Sequence, residues 1–182
     1  MQGKDRFIQA GYLRAGNVQG DVLAFGFFKS NHLPAHLQRL KTLPLFSSLT
    51  HRELKIVDGL LHLRQFLAGE VVFDEGEEGQ ALYILLSGTV TVSRTLNGNK
   101  ELVAELSSGS FFGDLALLDN TPRSAQISAK EACEMAVFFR ADFVALMEID
   151  ATIGYKISLQ LARNLAQRLR GAILGRPRVE VL

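Results

Sequence analysis

From Leu63 to Phe138 apolar residues recur at every second position, in short runs broken by turn residues. The breaks fall at Ala68-Gly69, Asp74 to Gly79, Ser87-Gly88, Asn97-Gly98 and Ser107 to Gly109. Alternation over four to eight residues is the pattern of a half-buried strand. Asn-Gly between two such runs predicts a tight hairpin, because both central positions of its turn need positive φ. Across that hairpin Val90 and Val92 are expected to face inward, opposite Leu102, Ala104 and Leu106. Further on, Ala125, Ile127 and Ala129 point one way and Ser124, Gln126 and Ser128 the other. About eight short strands at this spacing predict a mainly β fold, an eight-stranded β-roll or jelly roll.

The period changes to the helical one on either side. His36 to Lys41 reads as a short helix, and Thr50-x-x-Glu53 is a capping box that opens a second, running to about Leu61. Past Phe139, the positions Phe143, Leu146 and Met147 make another short helix, and Asp150 can cap a long one reaching about Leu174. In that last helix Tyr155, Leu159, Ala162, Ala166, Leu169 and Ile173 form a heptad seam, with a second row of Ile153, Ile157, Leu161 and Leu165 beside it. Two apolar rows need two covers. We expect one row to lie on the roll and the seam to pair with its twin in a two-fold dimer; the alternative is that both rows cover the roll. The chain thus divides into an N-terminal extension (residues 1–33, with the apolar patch Val22–Phe28), a domain with its C-terminal helix (34–174) and a tail (175–182).

Composition narrows the classes. With 182 residues there is room for one self-sufficient core plus an extension. Twenty Lys and Arg against 19 Asp and Glu give a net charge of +1, too small a field to attract nucleic acid or an acidic membrane by itself. The single cysteine, Cys133, rules out an intrachain disulfide and suits a reducing compartment. No apolar run approaches the ~20 residues of a membrane span, so a cytoplasmic protein is expected.

Candidate chemistry concentrates in Phe112-Gly-Asp-Leu-Ala-Leu-Leu-Asp-Asn-Thr-Pro-Arg-Ser-Ala-Gln-Ile-Ser-Ala129. A glycine leads a helix-like turn, an arginine closes the segment, and a strand follows. The first N–H groups of such a turn, here those of Leu115 and Ala116, carry unsatisfied donors and the positive end of its dipole. Gly113 lets the backbone approach a ligand closely. Arg123 offers a planar fork for two oxygens of one phosphate, and Pro122 fixes φ just before it. Ser124 adds a hydroxyl, and the Ser124 and Ala125 N–H groups add donors. Asp114, at the mouth of the turn, can accept from a sugar hydroxyl. The other reading of Arg123 is a structural ion pair with Asp114 or Asp119.

This segment resembles the phosphate-binding cassette of the cyclic-nucleotide-binding domain family, which includes the bacterial catabolite activator, the regulatory subunits of cyclic-nucleotide-dependent kinases, and gated channels. Leu43–Leu54 is similar to that family's entry into its first helix, and Glu75–Val90 to its glycine-punctuated central hairpin, so the likeness covers roughly residues 40–170. The resemblance implies a ligand, cAMP or cGMP, whose phosphate meets Arg123 and the amides of the turn, whose ribose meets Asp114, and whose base lies under the C-terminal helix near Arg163, Asn164, Arg168 or Leu169. The family usually has glutamate at the position of Asp114. One methylene less puts at risk a hydrogen bond worth about 1.5–3 kcal/mol, or roughly ten- to a hundredfold in affinity. Gln126 and Gln80 also depart from the usual residues.

Other chemistries fare poorly. A metal-dependent jelly-roll enzyme needs inward-facing His and Glu ligands, whereas His32, His36, His51 and His62 all precede the main run of strands and Glu77-Glu78 sits in a turn. Cys133 has no histidine nearby in sequence and reads as an inert thiol at the start of a strand. No Gly-x-x-x-x-Gly-Lys-Ser/Thr loop is present. Eight residues follow Leu174, too few for a helix-turn-helix, so no sequence-specific DNA binding is expected. The sequence therefore points to a non-catalytic regulatory sensor, without cofactor or metal, that binds a cyclic nucleotide or similar phosphate ligand and transmits binding through its C-terminal helix, with a separate effector protein as a possible partner. The alternative is a degenerate, non-binding member acting as a dimerisation scaffold.

Overall fold

The structure, a computed structural model, describes residues 35–174; the N-terminal extension 1–33, including Val22–Phe28, and the tail 175–182 lie outside the described residues. Helices α1 (Ala35–Thr42) and α2 (His51–Asp58) precede eight strands: β1 (Leu61–Phe66), β2 (Val71–Phe73), β3 (Ala81–Ser87), β4 (Thr89–Leu96), β5 (Asn99–Ser107), β6 (Phe111–Phe112), β7 (Gln126–Ala129) and β8 (Cys133–Phe139). Helices α3 (Arg140–Ile149) and α4 (Ala151–Ile173) complete the order. The strands form two four-stranded antiparallel sheets, β1-β8-β3-β6 and β2-β7-β4-β5. This is the β-roll that the alternation predicts.

The centre of the first sheet, β8 and β3, is covered on both faces, whereas His62 to Gln65 of β1 are exposed. Met135 and Cys133 of β8 point toward the second sheet, meeting Val90, Val92, Leu106 and Ile127. Ala136 and Phe138 of the same strand point the other way, into a second core with Phe46, Leu54, Phe143 and Ile157 from the helices. That is why Cys133–Phe139 reads as a nearly unbroken apolar run and not as a strict alternation. Cys133 begins β8, and burial raises its thiol pKa.

Two expectations need correcting. The second helix stops at Asp58, with Gly59 as its cap residue, because Leu61 is already paired with Phe138 in a ladder. Leu102 was expected to face in, but it is 62% exposed. Val92 pairs with Ala104 while Ser93 pairs with Leu102, so Val103 is an extra residue. That bulge turns every side chain before it to the opposite face.

The predicted caps are present. Thr50 Oγ1 accepts from the Glu53 N–H and the Glu53 carboxylate accepts from the Thr50 N–H, while Asp150 accepts from the N–H groups of Thr152 and Ile153. Glu53 also accepts from Lys156 Nζ of α4 at 2.7 and 2.8 Å. The Lys156 ammonium, then the Thr50 N–H, holds the Glu53 carboxyl below its usual pKa. A depressed folded pKa contributes stability that is present above the ordinary carboxylate range and lost as pH falls through the folded value. Glu53→Gln is therefore expected to lower the unfolding free energy near neutral pH. The gap to the parent should narrow as pH falls through the Glu53 titration, as read by urea denaturation at several pH values. A gap independent of pH would show that the pair contributes packing only.

Candidate functional site

The segment singled out in the sequence folds as one wall of a cavity of about 1080 Å³. Gly113, Asp114, Leu115, Ala116, Arg123, Ser124 and Ala125 all line it. β6 ends at Phe112, and Gly113 turns the chain with φ 72° into a single 3-10 turn, Asp114–Leu117. Only glycine fits there. A Cβ on Gly113 would stand 2.5 Å from Arg123 Nη1 and 3.1 Å from the Ala81 carbonyl oxygen, besides the strain of a left-handed conformation.

Arg123 is buried, 8% exposed, and fixed from several directions. Nη2 donates to the Ala81 carbonyl at 2.8 Å and Nη1 to the Gly113 carbonyl at 3.3 Å. Its guanidinium carbon lies 4.1 Å from the centre of the Phe73 ring and 5.7 Å from that of Tyr83. The rings of Tyr83 and Phe112 are stacked 5.5 Å apart. The Arg123 backbone is clamped by the Asp74–Gly79 turn: its N–H donates to the Glu77 carbonyl at 2.7 Å and its carbonyl accepts from Gly76 at 2.9 Å. Desolvation lowers the pKa of this guanidinium, which nonetheless stays charged at any physiological pH. Nε is buried with no hydrogen-bond partner. A buried cation with carbonyls and ring faces around it, but no carboxylate in contact, is arranged to receive an anion.

The alternative ion pair of Arg123 with Asp114 or Asp119 is not formed. Asp119 accepts from the Thr121 N–H. Asp114, 3% exposed, pairs through Oδ2 with Nη2 of Arg168 on α4. Among the amides, the Ala116 N–H donates to the Gly113 carbonyl at 3.2 Å inside the turn. It therefore does not face the cavity as a free donor, contrary to expectation. Leu115 stands half out at the cavity mouth, Ser124 is exposed and Ala125 half-buried.

α4 forms the opposite wall at its C-terminal end, with Gln167, Arg168 and Leu169 among the lining residues. Its inward row is Ile153, Ile157 and Leu161, all fully buried and each worth roughly 1.5–3 kcal/mol of transfer free energy. The row then turns polar, continuing as Asn164 and Arg168 with Leu165 only half-buried. The first half of α4 is thus held by the core, and the last two turns reach the site through Arg168.

Sequence reasoning missed Phe73, Tyr83 and Arg94, and it placed Arg168 only among the residues near the base, not as the partner of Asp114. Phe73 and Tyr83 hold the Arg123 guanidinium through ring faces that no local pattern announces. Arg168 stands 54 residues from the carboxylate it meets. Arg94 on β4 also lines the cavity with a buried, unpartnered Nε. A signal for Arg94 existed: it follows Val90 and Val92 on the same two-residue period, so a charge was due on an inward face.

Among the described residues no group of three or more His, Cys, Asp or Glu converges as a metal site, and no helix is long and apolar enough to cross a membrane. Residues 63–150 match the family described as the cyclic nucleotide-binding domain. The chain is 35% identical over 129 residues to the cyclic AMP receptor protein of Thermus thermophilus, covering 70% of this chain and 60% of that protein. It is 39% identical over 97 residues to the cAMP-dependent protein kinase regulatory subunit of Mycosarcoma maydis, covering 53% of this chain but only 18% of that one. The crystal structure of the Thermus thermophilus catabolite activator protein superposes with a TM-score of 0.66 at 37% identity, over 72% of this chain and 61% of that one. The matched region contains the glycine-led turn, Asp114 and Arg123, and the chain carries a cyclic nucleotide-binding domain of the type found in catabolite activators and kinase regulatory subunits.

Proposed function

We propose that this chain is a regulatory sensor that binds a cyclic nucleotide in the cavity between the Gly113–Ala125 wall and α4, and reports occupancy through α4. The observation that carries this reading is the buried, carboxylate-free guanidinium of Arg123 with its unpartnered Nε. A cyclic phosphodiester carries one negative charge and two free oxygens, which match a guanidinium edge. Ser124 at the rim and the Leu115 amide add donors on the same side. Asp114 uses one carboxylate oxygen for Arg168 and keeps Oδ1 for a ribose hydroxyl. The ligand would then meet α4 through a single carboxylate, so its binding and the position of the last turns of α4 would be one equilibrium. The cavity's two carboxylates, Asp114 and Glu105, are tied to Arg168 and Lys130, which suits a domain that acts by binding alone.

Titration calorimetry on the full chain with cAMP and with cGMP tests the reading. Saturable one-to-one binding of at least one of them at micromolar concentration is expected. No heat from either up to millimolar ligand would leave the scaffold reading in its place.

The dimer belongs to the same proposal. On α4 the seam residues Tyr155, Leu169 and Ile173 are 66%, 61% and 73% exposed, with Leu159 and Ala166 half-buried, while Ile153, Ile157 and Leu161 of the other row are buried. A large apolar stripe left uncovered along one helix suits pairing with a second copy. Light scattering at high micromolar concentration should give twice the chain mass, and Leu169→Glu with Ile173→Glu should return the mass to that of one chain. A separate effector would then read the position of α4.

A further inference from the structure

We infer that the cavity selects a 6-oxopurine cyclic nucleotide, guanine or hypoxanthine, over adenine, and that Arg94 is the residue that makes the choice. The inference rests on the nucleotide-binding reading above.

Arg123 and Asp114 fix where the phosphate and the ribose go, so the base takes the remaining volume between β4, β5 and α4. That part of the wall carries Val92 and Val103, apolar faces for a purine, and Arg94, which also borders a smaller adjoining cavity with Asp74 and Glu75. The Arg94 side chain makes no ion pair or hydrogen bond among the described residues, and its Nε is buried. The two carboxylates that line the cavity are both engaged by cations: Asp114 by Arg168, and Glu105 by Lys130 at 2.8 Å. Of the hydroxyls, Ser124 and Thr121 flank Arg123 at the phosphate end.

Apart from the Gln167 amide on α4, the base end therefore presents side-chain donors without matching free acceptors. Guanine shows two acceptors, O6 and N7, along one edge, whereas adenine shows N7 beside a donor amino group at N6. A guanidinium has only donors. Its fork satisfies O6 and N7 together, but it faces the adenine amino group donor to donor and leaves both unsatisfied. Hypoxanthine shares O6 and N7 with guanine and lacks the 2-amino group, so it isolates the edge that Arg94 would read. An unpartnered buried donor is also a standing cost in the empty protein, which an acceptor edge removes and an amino group does not.

The test is calorimetry on the full chain with cGMP, cIMP, cAMP and cyclic di-GMP, for the parent, Arg94→Leu and Arg94→Gln. In the parent, cGMP and cIMP should each bind at least about tenfold tighter than cAMP, in line with the discrimination of one bidentate arginine contact. Arg94→Leu should bring the cGMP and cAMP affinities within about threefold of each other. Arg94→Gln, whose amide can also accept from N6, should do the same or favour cAMP, and serves if the leucine variant fails to fold. Equal or tighter binding of cAMP by the parent overturns the inference and assigns base reading elsewhere, with Gln167 the amide available on α4. An affinity ratio unchanged in both Arg94 variants overturns it too. Tighter, Arg94-dependent binding of cyclic di-GMP overturns it by making Arg94 a second phosphate site. In each of those cases the sensor reading stands. If none of the four ligands binds, both fall together.

Discussion

Arg123→Ala is expected to weaken cyclic nucleotide binding by roughly thirtyfold or more in affinity. Removing one partner of a buried, hydrogen-bonded charge pair costs about 2–5 kcal/mol, and each 1.4 kcal/mol is a factor of ten. The cationic side chain is held before any ligand arrives, by the Ala81 and Gly113 carbonyls and the Phe73 ring. The ligand therefore meets a preorganised donor and bears little ordering cost. Lysine cannot substitute, because a point charge has no second in-plane donor for the Ala81 carbonyl while it faces a phosphate. Arg123→Lys should thus recover only a small part of the affinity. Arg123→Ala also removes the guanidinium donor from the Ala81 carbonyl and one of the two donors from the Gly113 carbonyl, so the ligand-free protein should melt at a lower temperature. The informative quantity is the rise in melting temperature on adding ligand, which should shrink sharply in Arg123→Ala even after the lower starting point is allowed for. A full ligand-induced rise in that variant would show that the phosphate is held elsewhere.

What the sequence made legible follows the range of the interactions involved. The strands were readable because each buries one face with a period of two. The single clear error among them, Leu102, comes from a bulge at Val103 that no alternation reveals, since either register keeps a valine or leucine on the inner face. The turn from Gly113 to Arg123 was readable because its parts are neighbours in sequence: a positive-φ glycine, a turn, an arginine and a strand. What fixes the arginine was not readable. Phe73, Ala81 and Tyr83 are 40 or more residues away and act through ring faces and a backbone carbonyl. The two rows of α4 were visible as spacing, but which of them the roll would cover was not. The structure buries Ile153, Ile157 and Leu161 and leaves Tyr155, Leu169 and Ile173 of the heptad seam exposed. The exchange of apolar for polar along the buried row, at Asn164 and Arg168, marks where the helix passes from core to cavity.

That exchange sets up the second large effect. Arg168→Ala is expected to lower the stability of the ligand-free protein and to uncouple α4 from the site. Breaking a buried ion pair by removing one partner costs about 3–5 kcal/mol when both charges are enclosed. The Arg168 side chain is a quarter exposed, so about half that is expected here. The cost lies mainly at Asp114, whose carboxylate would remain buried without its cation. Asp114→Asn in the Arg168→Ala background should restore much of the loss by removing that charge. The double-mutant cycle then gives a coupling energy of at least about 1 kcal/mol. Beyond Leu161 no fully buried apolar residue holds α4, and Leu169, Ile173 and Leu174 are exposed. The pair with Asp114 is therefore what keeps the last two turns against the cavity. Hydrogen exchange at Arg168–Ile173 should speed up in Arg168→Ala while that at Ile153–Leu161 is unchanged. Ligand should protect the last two turns in the parent and fail to do so in the variant, although Arg123 still binds the phosphate. Equal protection in both proteins would mean that occupancy reaches α4 by packing against the base and not through the carboxylate, and the Asp114–Arg168 pair would then be a static tie with no part in signalling.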